Sequence, residues 1–167
     1  MTSSKNAGAS RRWGLLAWLV TVALAAGLAA IASIDASAFY DELEKPQWAA
    51  PASIFGPVWT VLYILMAIAA WLVWSSRGFS GAPVALTLFL VQLVLNAAWS
   101  WLFFEWRLGL LAVIDIVVLT VLVALTVVAF WRVRPLAGAL MLPYLAWVVY
   151  AAELNYLIWQ LNPERFT

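Results

Sequence analysis

The 167-residue chain contains no cysteine and no histidine, and only 10% of its residues are charged. Without cysteine there is no disulfide, no thiolate nucleophile and no zinc–thiolate site. Without histidine there is no Ser–His–Asp machinery, and the commonest ligand for haem and metal ions is missing. The scarcity of charge excludes a soluble globule, which ordinarily carries about 25% charged and about 45–50% apolar residues. Here 66% of the residues are hydrophobic. A formal net charge of +1 provides no basic field for nucleic acid. The composition is that of an integral membrane protein.

Crossing about 30 Å of hydrocarbon takes roughly 20 apolar residues in a helix. Five stretches meet that length: 13–34, 55–74, 83–104, 108–131 and 136–160. The breaks between the last four, such as 75–82 and 105–107, are short enough to force antiparallel neighbours. The expected fold is therefore all-α: one compact bundle of five transmembrane helices, forming a single domain over 13–160. A polar tail (1–12), a long first loop (35–54) and a C-terminal tail (161–167) complete the chain.

Six of the nine cations fall on one side: Lys5, Arg11, Arg12, Arg77, Arg132 and Arg134. Lys45, Arg107 and Arg165 fall on the other, which predicts a cytoplasmic N-terminus without specifying the membrane. Arg11-Arg12 before an apolar run, with Ala36-Ser37-Ala38 beyond it, imitates a secretory leader. The run is about 22 residues, longer than the 7–15 of a leader's apolar region, so it is expected to remain as the first span. In that span Ala23-x3-Gly27 and Ala26-x3-Ala30 would permit close helix contact, as in a homodimer or within the bundle itself.

The loop 35–54 mixes prolines, aromatics and acids, including Tyr40, Lys45, Pro46 and Trp48. A long loop in an otherwise tight fold is either a lid over a binding site or a solvated connection. Polar side chains inside spans are functional candidates by default. Gln92, Asn96, Trp99 and Phe103 follow i, i+4, i+7, i+11 and share one helix face. They either line a polar-aromatic pocket or bond a neighbouring helix. Asp115 and Glu153 lie within the fourth and fifth spans, where an acid should face the bundle interior, a partner or water.

Of the twelve tryptophans, Trp13, Trp74, Trp101, Trp106, Trp131 and Trp159 fall near span ends, where indoles anchor to the interface. Trp59, with Tyr63 at i+4, and Trp147, with Ala151 at i+4, lie inside spans. They suit the walls of a site for a flat aromatic ligand, although packing alone produces the same spacing.

Taken in order, several motifs resemble the TspO/MBR family, the tryptophan-rich sensory proteins that include the mitochondrial translocator protein. They are Tyr40-Asp41-x-Leu43-x-Lys45-Pro46-x-Trp48, Val58-Trp59-Thr60-Val61-Leu62-Tyr63, Gln92-x3-Asn96-x2-Trp99-Ser100, Pro143-Tyr144-x2-Trp147 and Leu154-Asn155-Tyr156. The resemblance implies a five-helix bundle, often dimeric, with a pocket capped by the first loop. It implies binding of porphyrins, notably protoporphyrin IX, and of benzodiazepine-type ligands. It maps the ligand site onto Tyr40, Trp48, Trp59, Tyr63, Asn96, Trp99, Trp147 and Ala151. Trp59 and Trp147 match the two indoles tied in the family to light-dependent porphyrin breakdown.

Three departures bear on these expectations. Phe39 stands where the family has Trp, and Ala50 removes one of two adjacent prolines; both are expected to loosen the lid. The segment Leu154-Asn155-Tyr156-Leu157-Ile158-Trp159-Gln160 lacks the cation of the family's sterol motif, so sterol binding is expected to be weak or absent. The leading expectation is a tetrapyrrole receptor or carrier, without haem-iron ligation and without a cofactor or metal. The alternatives are a light-dependent porphyrin-degrading enzyme using Trp59 and Trp147, and a small-solute or proton-coupled transporter using Asp115 and Glu153.

Overall fold

The computed structural model describes the backbone of residues 3–167 and the side chains of residues 12–167. The polar tail expected over 1–12 thus lies, apart from Arg12, outside the residues whose side chains are described. Helix α1 (Ser3–Ala32) is followed by a short α2 (Ala36–Glu42), then α3 (Ala52–Gly81) and α4 (Pro83–Ser100). A π turn (Trp101–Glu105) leads to α5 (Gly109–Val133) and α6 (Pro135–Leu161), and a 3₁₀ turn (Pro163–Arg165) ends the chain. Five of the helices are long and apolar enough to cross a membrane, and the protein is an integral, multi-pass membrane protein. Helices satisfy their own backbone groups, which hydrocarbon requires. Pro83 and Pro135 open α4 and α6, where a missing N–H costs nothing.

The spans form a closed ring in the order α1–α3–α6–α5–α4, with α3 and α4 also touching across it. Lipid is as apolar as the core, so cohesion rests on close packing and interhelical hydrogen bonds. Phe89 of α4 stacks on Phe130 of α5 at 5.6 Å, and Met66, Leu86, Ile116 and Met141 are fully buried around them. Glycines bring α5 and α6 together at both ends. A Cβ on Gly109 would collide with the Trp159 indole, and one on Gly138 would lie 2.8 Å from Cε3 of Trp131.

Three local features differ from the sequence reading. The segment 75–82, read as a break, is mostly helical: the Ser75 and Ser76 hydroxyls donate to the Leu72 carbonyl and are absorbed into α3. Two residues leave helical geometry there: Gly78, whose φ of 65° glycine adopts freely, and Ala82, at φ −141° between α3 and α4. The loop 35–54 contains α2, which ends where Lys45 folds back to donate to the carbonyls of Tyr40, Asp41 and Leu43. A cation there also complements the helix dipole.

The third difference is the π turn after α4, closed by a bond from the Trp106 N–H to the Trp101 carbonyl at 2.8 Å. Its i→i+5 geometry inserts one residue per turn. Phe103 is accordingly buried against Phe39 and Phe166, while Phe104 takes the cavity-facing position that a regular helix gives to Phe103.

Candidate functional site: a lidded aromatic cavity

A cavity of about 410 Å³ lies between α1, α3 and α4 beneath α2. The α1 wall is made of small side chains, Ala26, Ala29, Ala30 and Ser33. The Ala26–Ala30 pair thus lines the cavity, whereas Ala23 and Gly27 are exposed on another face of the helix. Phe55, Trp59 and Tyr63 project from α3, Asn96 and Trp99 from α4, and Tyr40 from the lid.

Five of the eight sequence-derived ligand residues therefore line one cavity: Tyr40, Trp59, Tyr63, Asn96 and Trp99. The other three do not. Trp48 is exposed and edge-on to Tyr150 at 5.6 Å. Trp147 lies behind Phe55, their ring centroids 5.6 Å apart, and its indole N–H is buried without a partner. Ala151, one turn along α6, is buried beside the half-buried Trp147.

The polar stripe of α4 both lines the cavity and joins helices. Tyr63 donates to Oδ1 of Asn96 at 2.7 Å, bridging α3 and α4 across the ring. Trp59 stacks on Tyr63 at 5.4 Å, so the wall is a continuous indole–phenol–amide surface. Farther from the cavity, Tyr144 donates to Oε1 of Gln92 at 2.8 Å, and Trp99 Nε1 donates to Oδ1 of Asn155 at 2.8 Å. Gln92 thus joins helices, while Asn96 does so and also faces the cavity. Of the two intramembrane acids, Asp115 is half-buried with Oδ2 unpartnered, and Glu153 is exposed.

The lid is held at several points. Tyr40 donates to the Ala50 carbonyl at 2.9 Å, and the Ala50 N–H donates to the Tyr150 hydroxyl at 2.8 Å. A proline at position 50 could not make the second bond, so this departure adds an anchor instead of loosening the lid. Phe39, the other departure, is buried edge-on to Phe103 and Phe166, with the Arg107 guanidinium 4.5 Å over its ring. Burial, reinforced by Tyr150 and Asp41, pushes the Tyr40 phenol up to about 12, so it remains a donor at neutral pH. At the far edge, Asn162 grips the backbone of Glu44, and Arg165 pairs with Glu42 at 3.3 Å.

Sequence reasoning missed Asn162, Tyr150 and Phe55. Only Asn162 carries a local signal: Asn followed by Pro is a helix stop, and the amide at that stop meets the lid.

The lid side carries Asp35, Asp41, Glu42, Glu44, Glu105 and Glu164 against Lys45, Arg107 and Arg165. Among the described residues, the opposite side carries Arg12, Arg77, Arg132 and Arg134 with no acid.

Fold and site together define a multi-span membrane protein with a lidded aromatic cavity, within the roughly 300–1,000 Å³ range of small-molecule sites. Comparison with known proteins makes this specific. The chain belongs to the TspO/MBR family, whose model matches residues 16–160. It is 40% identical over 151 residues to the tryptophan-rich protein TspO of Chlorobaculum tepidum, covering 89% of this chain and 96% of that protein. It is 42% identical over 129 residues to the translocator protein of Sus scrofa, covering 76% of each. It is 37% identical over 144 residues to protein CrtK of Rhodobacter capsulatus, covering 85% and 89% respectively.

Proposed function

We propose that this protein is a membrane receptor or carrier for tetrapyrroles such as protoporphyrin IX, and for benzodiazepine-type ligands. The observation that carries the reading is the cavity wall of Trp59, Tyr63, Asn96 and Trp99 under the Tyr40 lid. Its rings offer faces and edges to a planar macrocycle. The Asn96 amide, whose Oδ1 accepts from Tyr63 and whose N–H₂ also meets Tyr144, has donor capacity to offer a carboxylate or carbonyl at the cavity wall. The chain has neither histidine nor cysteine, so recognition falls on the ring face and carboxylates of the macrocycle, in preference to iron.

Titrating protoporphyrin IX into the purified protein while following tryptophan emission tests this. Saturable quenching is expected, with binding weakened about tenfold or more in Asn96→Ala and in Trp59→Leu. Absence of saturable quenching in the wild type overturns the reading.

One observation favours a second reading, light-dependent porphyrin breakdown. Trp59 and Tyr63 stack with their planes 29° apart on the cavity wall. Such a pair can pass an electron to a photo-excited porphyrin, with dioxygen as the oxidant. Loss of the Soret band under illumination in the wild type but not in Trp59→Leu, compared at equal occupancy, is the expected signature. Equal rates in the two sink it.

A further inference from the structure

We infer that Asp115 and Asn155 hold a buried water molecule between α5 and α6, and that this water connects the Asp115 charge to Trp99 on the cavity wall. The inference does not depend on which ligand the cavity takes.

Trp99 lines the cavity, and its Nε1 donates to Oδ1 of Asn155 on α6 at 2.8 Å. An indole N–H can only donate, so this bond orients the amide, with Oδ1 toward Trp99 and Nδ2 turned away from it. Asn155 is buried, and its Nδ2 has no hydrogen-bond partner. On α5, Oδ2 of Asp115 is likewise buried without a partner. The register of the two helices brings this donor and this acceptor to one depth. Gly109 meets Trp159 and Gly138 meets Trp131. That antiparallel pairing sets Asp115 within one helical turn of the level of Asn155.

Buried polar groups are almost always paired, and an acid within a span faces a partner or water. A molecule that accepts from Nδ2 and donates to Oδ2 satisfies both orphans. Water is the smallest that does, and buried waters typically bond such otherwise unsatisfied groups. The result is a directed chain of donors from the cavity wall inward: Trp99 to Asn155, Asn155 to water, water to Asp115. An ionised carboxylate at its end makes the last bond charge-assisted and strengthens those before it. The charge state of Asp115 therefore reaches the Trp99 indole.

Few other groups can imitate that effect. Of the elements packed against α5, α4 has no ionisable side chain. From α3 come Tyr63, bonded to Asn96, and the exposed Arg77, and from the π turn the exposed Glu105. From α6 comes Tyr144, whose phenol feels the Asp115 charge. Glu153 and Tyr156 of α6 and Arg132 of α5 itself are exposed, and Tyr150 is engaged at the lid.

The test is NMR on the isotope-labelled full-length protein without ligand. In the wild type, the Asn155 side-chain amide should show a magnetisation-transfer peak to a long-lived water. Asp115→Leu should abolish the peak, and Asp115→Asn, which keeps an acceptor oxygen, should retain it. The Trp99 indole N–H resonance should step with pH in the wild type. That step should vanish in Asp115→Asn, which cannot ionise, and in Asn155→Ala, which cuts the chain.

Absence of the water peak in the wild type overturns the site and needs no variant to fold. A peak that survives in Asp115→Leu shows that other groups hold the water, and also overturns it. A water peak with a Trp99 resonance flat in pH supports the site and overturns its link to the cavity wall. A pH step that persists in Asp115→Asn assigns the titration to another group and overturns the link as well.

Discussion

Asn162 and Glu44, far apart in sequence, are joined by a closed pair of hydrogen bonds: the Glu44 N–H donates to Oδ1 of Asn162 at 2.8 Å, and Nδ2 of Asn162 donates to the Glu44 carbonyl at 2.9 Å. The same Nδ2 also donates to the Ile158 carbonyl at the end of α6. One amide therefore finishes a transmembrane helix and fastens the lid. Asn162→Ala removes both part-buried lid bonds, each worth about 0.5–1.5 kcal/mol net. Amide exchange at Glu44 and its neighbours should accelerate about tenfold or more, with α6 interior amides unchanged. Unchanged lid exchange would show that the other anchors suffice.

The lid should also respond to alkaline pH through Tyr40. Burial raises its pKa from 10.0 to about 12, so the folded lid favours the neutral phenol. The stability this contributes is complete below pH 10 and is lost as pH rises from 10 through about 12. Trp48 emission, sensitive to its contact with Tyr150, should show a transition in that window which Tyr40→Phe abolishes. A transition that survives in Tyr40→Phe assigns it to another group.

Glycines of different surroundings should behave oppositely. Nothing lies within 4 Å of a Cβ added to Gly27, so Gly27→Ala should leave monomer stability unchanged or raise it by up to about 1 kcal/mol through helix propensity. Gly109→Ala forces a methyl into the Trp159 indole and should cost about 1–3 kcal/mol. Thermal unfolding in one detergent compares them directly. If the exposed Ala23–Gly27 face joins two copies, Gly27→Leu should abolish a dimer in cross-linking without lowering the monomer's melting temperature.

Electrostatics should slow the arrival of an anionic ligand. Six carboxylates against three cations occupy the lid side. Like charge repels a dicarboxylate porphyrin, and salt screens that repulsion over a length of about 10 Å at 0.1 M. Stopped-flow quenching should therefore show an association rate that rises with ionic strength. A falling rate would point to entry guided by Arg107 or Lys45.

The five-helix architecture was legible because hydrocarbon leaves little choice: a run of about twenty apolar residues must be a helix. The shared face of Asn96 and Trp99 was equally legible, since helical periodicity fixes it. Phe103 and Phe104 were not, because a π turn adds a residue without any mark in the hydropathy pattern. Trp147 shows the complementary difficulty. Its spacing places it on an inward face of α6, but there it packs against Phe55, a side chain on another helix, and does not line the cavity. The role of Ala50 lay in what its backbone can donate, which no side-chain motif records.

The glycine–indole contacts at Gly109–Trp159 and Trp131–Gly138 have a mechanical consequence. They rivet the α5–α6 hairpin at both membrane faces, so neither helix can slide past the other without lifting a large ring out of its seat. The cavity-bearing sector is built differently, with an α1 wall of small side chains and a lid fastened by a few hydrogen bonds and one exposed ion pair. Any change of volume is thereby channelled to one side of the ring, and the riveted hairpin serves as the fixed frame against which that side moves.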